Sequence, residues 1–408
     1  MISTKRRTVL KAGTAALAAP YFSKAFAKSD VIRIASIYDE SGILSNSGRP
    51  MAEMLNMAVE DINKQGGLLG KQLELIRFDT QSSNQLYGQY AIEAATKHRV
   101  SAVFGAMTSA SREVIRPLLR RYNTLYFYST QYEGGVCDRN TFCVGTTPGQ
   151  KAIKIDPYVL EKFGKKIYVV AADYNLGHII SKWHRRLFEQ HGGSIAGVEF
   201  FPLEQTDFGA SIKKIQAAQP DAVMADLVGT KHVGFFRQWA ASGMSGRVGL
   251  ASTIFGTGDE QLLTNPREHN GILTSACYFP EIEIPGNDAF VKRAADHLSG
   301  QQAALNELPM MAYYAPMLWA EGVKLAGTVE RMPVIEALET GLSYEGPGGK
   351  ITVDGKSHHV SHDIYIAEAR DHGFKILETY RDLLPSDTSA VCDLEKNPNE
   401  TRQFVIDS

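Results

Sequence analysis

Residues 125 to 135, "LYFYSTQYEGG", begin as an apolar run and end by setting Tyr128, Ser129, Thr130, Gln131, Tyr132 and Glu133 side by side. Along an extended chain Tyr128 and Thr130 face one side while Ser129 faces the other. A tyrosine offers a flat apolar wall and a phenol that donates or accepts, which suits a small polar guest. Phe127 is read as core. A second stretch, "FGAMTSASREV", joins a strand to a helix, with Ser109 or Ser111 as its expected N-cap. A helix start leaves up to four N–H groups without internal partners and carries about half a positive charge, so it welcomes a carboxylate or an amide carbonyl. Capping alone is the alternative role for these serines. A third, "ADYNLG", supplies Tyr174 as an opposing wall, and Asp173 either as a partner for an N–H or ammonium group or as a helix cap. The candidate ligand-binding set is Thr108, Ser109, Tyr128, Thr130, Gln131, Asp173 and Tyr174.

Covalent chemistry finds little support. HExxH, GxSxG, GxxxxGK[ST] and a strand-following GxGxxG are all missing. The histidines of "SHHVSH", His358, His359 and His362, sit among Gly, Ser and Lys and are read as a solvated loop. His184 and His191 share a helical stripe with Phe188 and are read as surface or packing residues. The expectation is a protein without metal or cofactor that makes and breaks no bond.

These loops need strands and helices to hold them. From residue 31 the chain alternates the two: "VIRIASIY", then a helix with Met51, Met54, Leu55, Ala58 and Ile62 on one face, then "KQLELIRFDT", "SAVFGA" and "TLYFYS" with helices between. Gly66 and Gly67 are expected to stop the first helix by taking positive φ. The programme restarts at "KIYVVAADY" and continues through "SIAGVEFFPL", "PDAVMADLV" and "RVGLAST". Such alternation predicts α/β architecture in two doubly wound lobes, each a parallel sheet covered on both faces. Open parallel sheets bind ligands beyond the carboxyl ends of their strands, so the chemistry is expected where the loops of the two lobes meet.

The whole chain bounds the partner. It has 408 residues, 44% hydrophobic and 22% charged, with a formal net charge of −2, an ordinary globular composition without the basic excess that nucleic acid demands. Arg6 and Arg7 precede a short apolar run, Val9 to Ala19, and the triplet Ala25, Phe26, Ala27, which is expected to be an export signal of the twin-arginine type over residues 1–27; an ordinary secretory signal is the alternative. No stretch approaches the ~20 apolar residues of a membrane helix, and a soluble periplasmic protein, monomeric or weakly dimeric, is expected. Of the four cysteines, Cys137 and Cys143 flank the turn-like "DRNTF" and are the expected disulfide, leaving Cys277 and Cys392 as a second pair or as buried thiols.

The order of "YDESG", "AVEDINKQGGLLGKQLEL", "TSASREV", "FYSTQYEGG", "ADYNLG" and "GTKHVGFFRQW" resembles the type I periplasmic substrate-binding proteins of ABC importers, within the branched-chain amino acid-binding superfamily and nearest to its urea and short-chain amide binders. The similarity runs from about residue 31 to about residue 370. The resemblance implies two lobes joined by three crossing strands, 31–148 plus 276–356 and 149–275 plus 357–408, which close on a small-molecule solute and deliver it to a membrane ABC permease. It also implies that Ser109 and Thr130 meet the solute and that Tyr128 and Tyr174 form its walls. Met107 departs from the pattern, which has a bulky aromatic there. Amino-acid binders of the superfamily carry an acid soon after the strand that here reads "GLASTIF"; Ser252, Thr253 and Ile254 stand in that place, which favours urea or an amide over an α-amino acid. An amino-acid receptor and an extracytoplasmic sensor module are the alternatives. At about −1.5 kcal/mol per heavy atom, four-atom urea gains at most about −6 kcal/mol, which corresponds to tens of micromolar.

Overall fold

The computed structural model describes Met1 and residues 31–298 and 305–405. The expected export signal over residues 1–27 lies outside the described residues.

The parallel alternation forms two sheets. The first takes β1 (Ile32–Tyr38), β2 (Leu73–Asp79), β3 (Ala102–Gly105), β4 (Leu125–Tyr128) and β5 (Thr141–Cys143); the second takes β6 (Lys166–Ala172), β7 (Ser194–Phe201), β8 (Ala222–Asp226), β9 (Gly249–Ser252) and β10 (Leu273–Ala276). Their spatial orders, β2-β1-β3-β4-β5 and β7-β6-β8-β9-β10, are the same winding written twice. All of these neighbours pair in parallel. In each sheet the winding reverses between the first and third strands, β1 and β3 in one, β6 and β8 in the other. Those reversals open a crevice at the carboxyl ends. The central strands are near-continuous apolar runs because helices cover both faces; β3 and β4 are buried at every position.

The first helix, Ser45–Lys64, buries the predicted face of Met51, Met54, Leu55, Ala58 and Ile62. It ends where Gly66 and Gly67 take φ of 103° and 77°. At Gly67 a Cβ would stand 2.0 Å from the Lys71 carbonyl oxygen, so the close turn admits only glycine. The face of this helix packs on Glu307–Ala326, a helix buried over most of its length, including Trp319.

The last quarter of the chain departs from the parallel pattern. β11 (Ser343–Gly346), β12 (Gly349–Asp354) and β13 (His359–Val360) extend the first sheet beyond β5; β14 (His362–Arg370) and β15 (Gly373–Leu383) add an antiparallel hairpin to the second beyond β10. Among the described residues the chain passes between the sheets after β5, after β10 and at Ser361, which alone separates β13 from β14. The segment 357–408, expected in the second lobe, is divided. β13 lies in the first sheet, β14 and β15 in the second, and residues 386–405 return as a strap to the chain ahead of β5. There the Val136–Gln403 bridge and the Cys137–Cys392 disulfide hold it.

That disulfide corrects the expected Cys137–Cys143 pairing and takes Cys392 from the optional pair with Cys277. Cys143 sits in β5, packed in the core with Tyr126, Tyr128 and Tyr132, while Cys137 lies outside the strand against the strap; Cys143 and Cys277 are free and buried. The "SHHVSH" segment is also corrected. His358, His359 and His362 are all at most 1% exposed: His359 lies in β13 between β12 and β5, His362 opens β14, and His358 is the turn residue just ahead of β13. The His358 ring stacks on Phe142, His359 Nε2 meets the Tyr132 hydroxyl at 2.5 Å, and His362 Nε2 reaches the Val144 carbonyl at 2.8 Å. Burial lowers His359 and His362 to about 4, so both are neutral and structural.

Candidate functional site

Both winding reversals face one cavity of about 30 Å³. Since one water needs roughly 10–15 Å³, the enclosed space suits a guest of a few heavy atoms. The first sheet contributes Leu44 and Ser47 after β1, Met107, Thr108 and Ser109 after β3, and Tyr128, Thr130 and Gln131 at the end of β4. The second contributes Tyr174 and Leu176 after β6, Val228 and Gly229 after β8, and Thr257, Gly258 and Glu260 after β9. Leu308 completes the apolar lining. Six of the seven sequence candidates line this space. Asp173 does not: it is exposed, and its Oδ1 meets His178 Nε2 at 2.8 Å. Adjacent residues of an extended segment point to opposite sides, so placing Tyr174 inward turns Asp173 outward.

The cap of the helix Ser109–Arg121 is Thr108, one residue ahead of the serines expected in that role. Its Oγ1 accepts from Ser111 N at 3.0 Å, and Ser111 Oγ accepts in return from Thr108 N at 3.0 Å, a reciprocal capping box. Ser109 is thereby released to face the cavity. The N–H groups of Ser109 and Ala110 stand in the first turn with no acceptor among the described residues. Just ahead of the cap, Ala106 holds φ at 71°, a strained turn that aims its carbonyl at Thr130.

The hydroxyl protons are already committed. Thr130 Oγ1 donates to the Ala106 carbonyl at 2.9 Å, and Ser109 Oγ donates to Glu133 Oε2. Each oxygen therefore has lone pairs to offer and no proton to spare. Glu133 is held by Arg112 Nη2 at 2.9 Å, a buried ion pair, and the guanidinium lies 5.1 Å from the centre of the Tyr128 ring and 4.4 Å from that of Tyr132. Burial opposes the Arg112 charge, but Glu133 and its neighbours hold its pKa well above the usual value. Burial likewise raises the phenols of Tyr128 and Tyr174, so both stay protonated. Gln131 Oε1 accepts from Lys151 Nζ, which also pairs with Glu307 at 2.5 Å.

Glu260 is the residue that sequence reasoning missed. The acid sought at Ser252 to Ile254 lies farther on, at the end of "GTGDE", past a loop whose length hid it. Its Oε2 accepts from Gly256 N at 2.7 Å and Gly258 N at 3.2 Å. Burial raises its pKa to about 7, outweighing those amides. Among the described residues no lysine or arginine lines the cavity.

Comparison with known proteins follows the same outline. A family model described as "Periplasmic binding protein domain" matches residues 32–391. A Leu/Ile/Val-binding protein homolog 6 of Brucella melitensis is 23% identical over 366 residues, covering 88% of this chain and 92% of that protein. A solute binding protein of an ABC transporter from Rhodopseudomonas palustris, in complex with p-hydroxybenzoic acid, superposes with a TM-score of 0.78 at 20% identity, covering 88% of this chain and 100% of that one. A leucine binding protein from Thermotoga maritima gives a TM-score of 0.75 at 20% identity with the same coverage.

Proposed function

The chain belongs to the periplasmic binding protein family, and from that premise we propose that it is the extracytoplasmic solute-binding component of an ABC importer, with urea or a short-chain amide as its solute. In this reading two lobes, one built on each sheet, close over the solute, the strap lying on the first, and a membrane permease receives it. The soluble periplasmic setting belongs to the same reading. Among the described residues no helix is long and apolar enough to cross a membrane.

The observation that carries the choice of solute is the direction of the two hydroxyl protons. Ser109 and Thr130 both donate into the protein, so toward the cavity both accept. Beside them, the Ser109 and Ala110 N–H groups donate at a positive helix end. A carbonyl oxygen flanked by N–H groups satisfies both sets at once. A carboxylate would bring lone pairs against the lone pairs of Ser109 and Thr130, and the lining offers it no cationic side chain. The aromatic acids and branched-chain amino acids named for the relatives both carry that group.

One observation favours a second reading, an α-amino acid: Glu260 could face its ammonium. The two readings differ in pH dependence. A cationic partner draws Glu260 into its charged form, so leucine would bind more tightly as pH rises through about 7, while acetamide would change little. Calorimetric titration with acetamide, urea, acetate, 4-hydroxybenzoate and L-leucine between about pH 6 and 8 decides between them. Binding of acetamide or urea much more tightly than any of the acids is expected. Leucine binding without amide binding overturns the amide assignment.

A further inference from the structure

The strap reaches the cavity wall through one side chain. Gln403 Nε2 donates to Glu133 Oε1 at 2.6 Å and to the Gly134 carbonyl at 3.1 Å, while its Oε1 accepts from Arg112 Nη2 at 3.0 Å. The backbone around it is tied on both sides: Cys137 N donates to the Arg402 carbonyl at 2.9 Å and Phe404 N to the Gly135 carbonyl at 2.8 Å. Arg116 Nη1 holds the Thr401 carbonyl at 2.7 Å, and the Cys137–Cys392 disulfide closes the strap upstream. Glu133, 2% exposed, thus receives Arg112 and Gln403 on Oε1 and Ser109 on Oε2. Two donors on one oxygen fix the carboxylate plane, and that plane decides where the Ser109 proton goes.

We infer that Glu133, braced by Arg112 and by Gln403 of the disulfide-closed strap, is a specificity-positioning residue that makes Ser109 an acceptor toward the solute and so selects amides against carboxylates. This rests on the amide reading above. Neither Glu133 nor its two braces line the cavity; they act through the direction of one hydroxyl.

Glu133→Gln isolates that role. Arg112 and Gln403 both donate to Oε1, so the amide oxygen of the new side chain takes that place and its Nε2 faces Ser109. The NH₂ then donates to Ser109 Oγ, and the serine proton turns to the cavity. Acetamide binding is expected to weaken about tenfold and acetate binding to strengthen, whereas mere loosening would weaken both alike. Gln403→Ala keeps the Arg112–Glu133 pair and tests the strap if the first variant fails to fold; acetamide should weaken about threefold to tenfold relative to acetate. An unchanged acetamide-to-acetate ratio in the folded variants overturns the inference while leaving the amide assignment standing. Wild-type protein that binds acetate and not acetamide overturns both.

Discussion

The two walls of the cavity use their buried charges differently. On the first-sheet side the Arg112–Glu133 pair bonds to Ser109, a group that faces the cavity. On the second-sheet side one buried acid, Glu260, reaches the cavity, while the other buried charges stop one layer short. His184 lies between Asp156 at 2.8 Å and Asp226 at 2.7 Å, and Asp226 accepts from Thr253 N at 2.8 Å and Thr253 Oγ1 at 2.9 Å. None of these four lines the cavity, where that wall presents Tyr174, Leu176 and Val228 beside Glu260. In the amide reading the first side selects by hydrogen bonding and the other, apart from Glu260, encloses by shape.

The largest expected effect falls on the enclosing side and on stability. Burial would lower the His184 pKa, but the two carboxylates raise it to about 10. His184→Leu leaves two buried carboxyls without their cation and should cost about 3–5 kcal/mol in guanidinium unfolding. A folded-state pKa above the ordinary 6.5 contributes stability that is full below 6.5 and fades as pH rises through about 10. Wild-type protein should therefore lose stability over that window and the variant should not. Next comes the selecting side: Ser109→Ala with Thr130→Ala should weaken acetamide binding by about 2–4 kcal/mol in calorimetry, since two acceptors disappear. Tyr174→Leu, which keeps an apolar wall but removes the ring, should weaken it by only about 1 kcal/mol. Asp173→Asn should stay within about 0.5 kcal/mol. If Tyr174→Leu costs more than the double variant, the division between the walls is wrong.

How far the sequence revealed this depended on where the signal lay. The parallel strands were legible because each is a short apolar run between helices whose buried stripes are local. β15 was not, since it is half-exposed along most of its length and shows no clean alternation. The strap could not be read at all: Gln403 and Glu133 lie 270 residues apart, and nothing near either names the other. His358, His359 and His362 look solvated because their neighbours are polar, yet they pack on Phe142, Tyr132 and Val144, all distant in sequence. At the site, strand period placed Tyr128 and Thr130 on one side, and the same period, applied across Asp173 and Tyr174, separates that pair. Glu260 escaped because the loop after β9 is longer than the one in which an acid was sought.

The Cys137–Cys392 bond spans 255 residues. A chain is made from its N-terminus, so the thiol of Cys137 exists long before its partner has been synthesised, while Cys143 is only six residues behind it. The mispairing suggested by proximity is thus the one available first. Folding β5 into the first sheet withdraws Cys143 from that competition and leaves Cys137 for a partner far later in the chain.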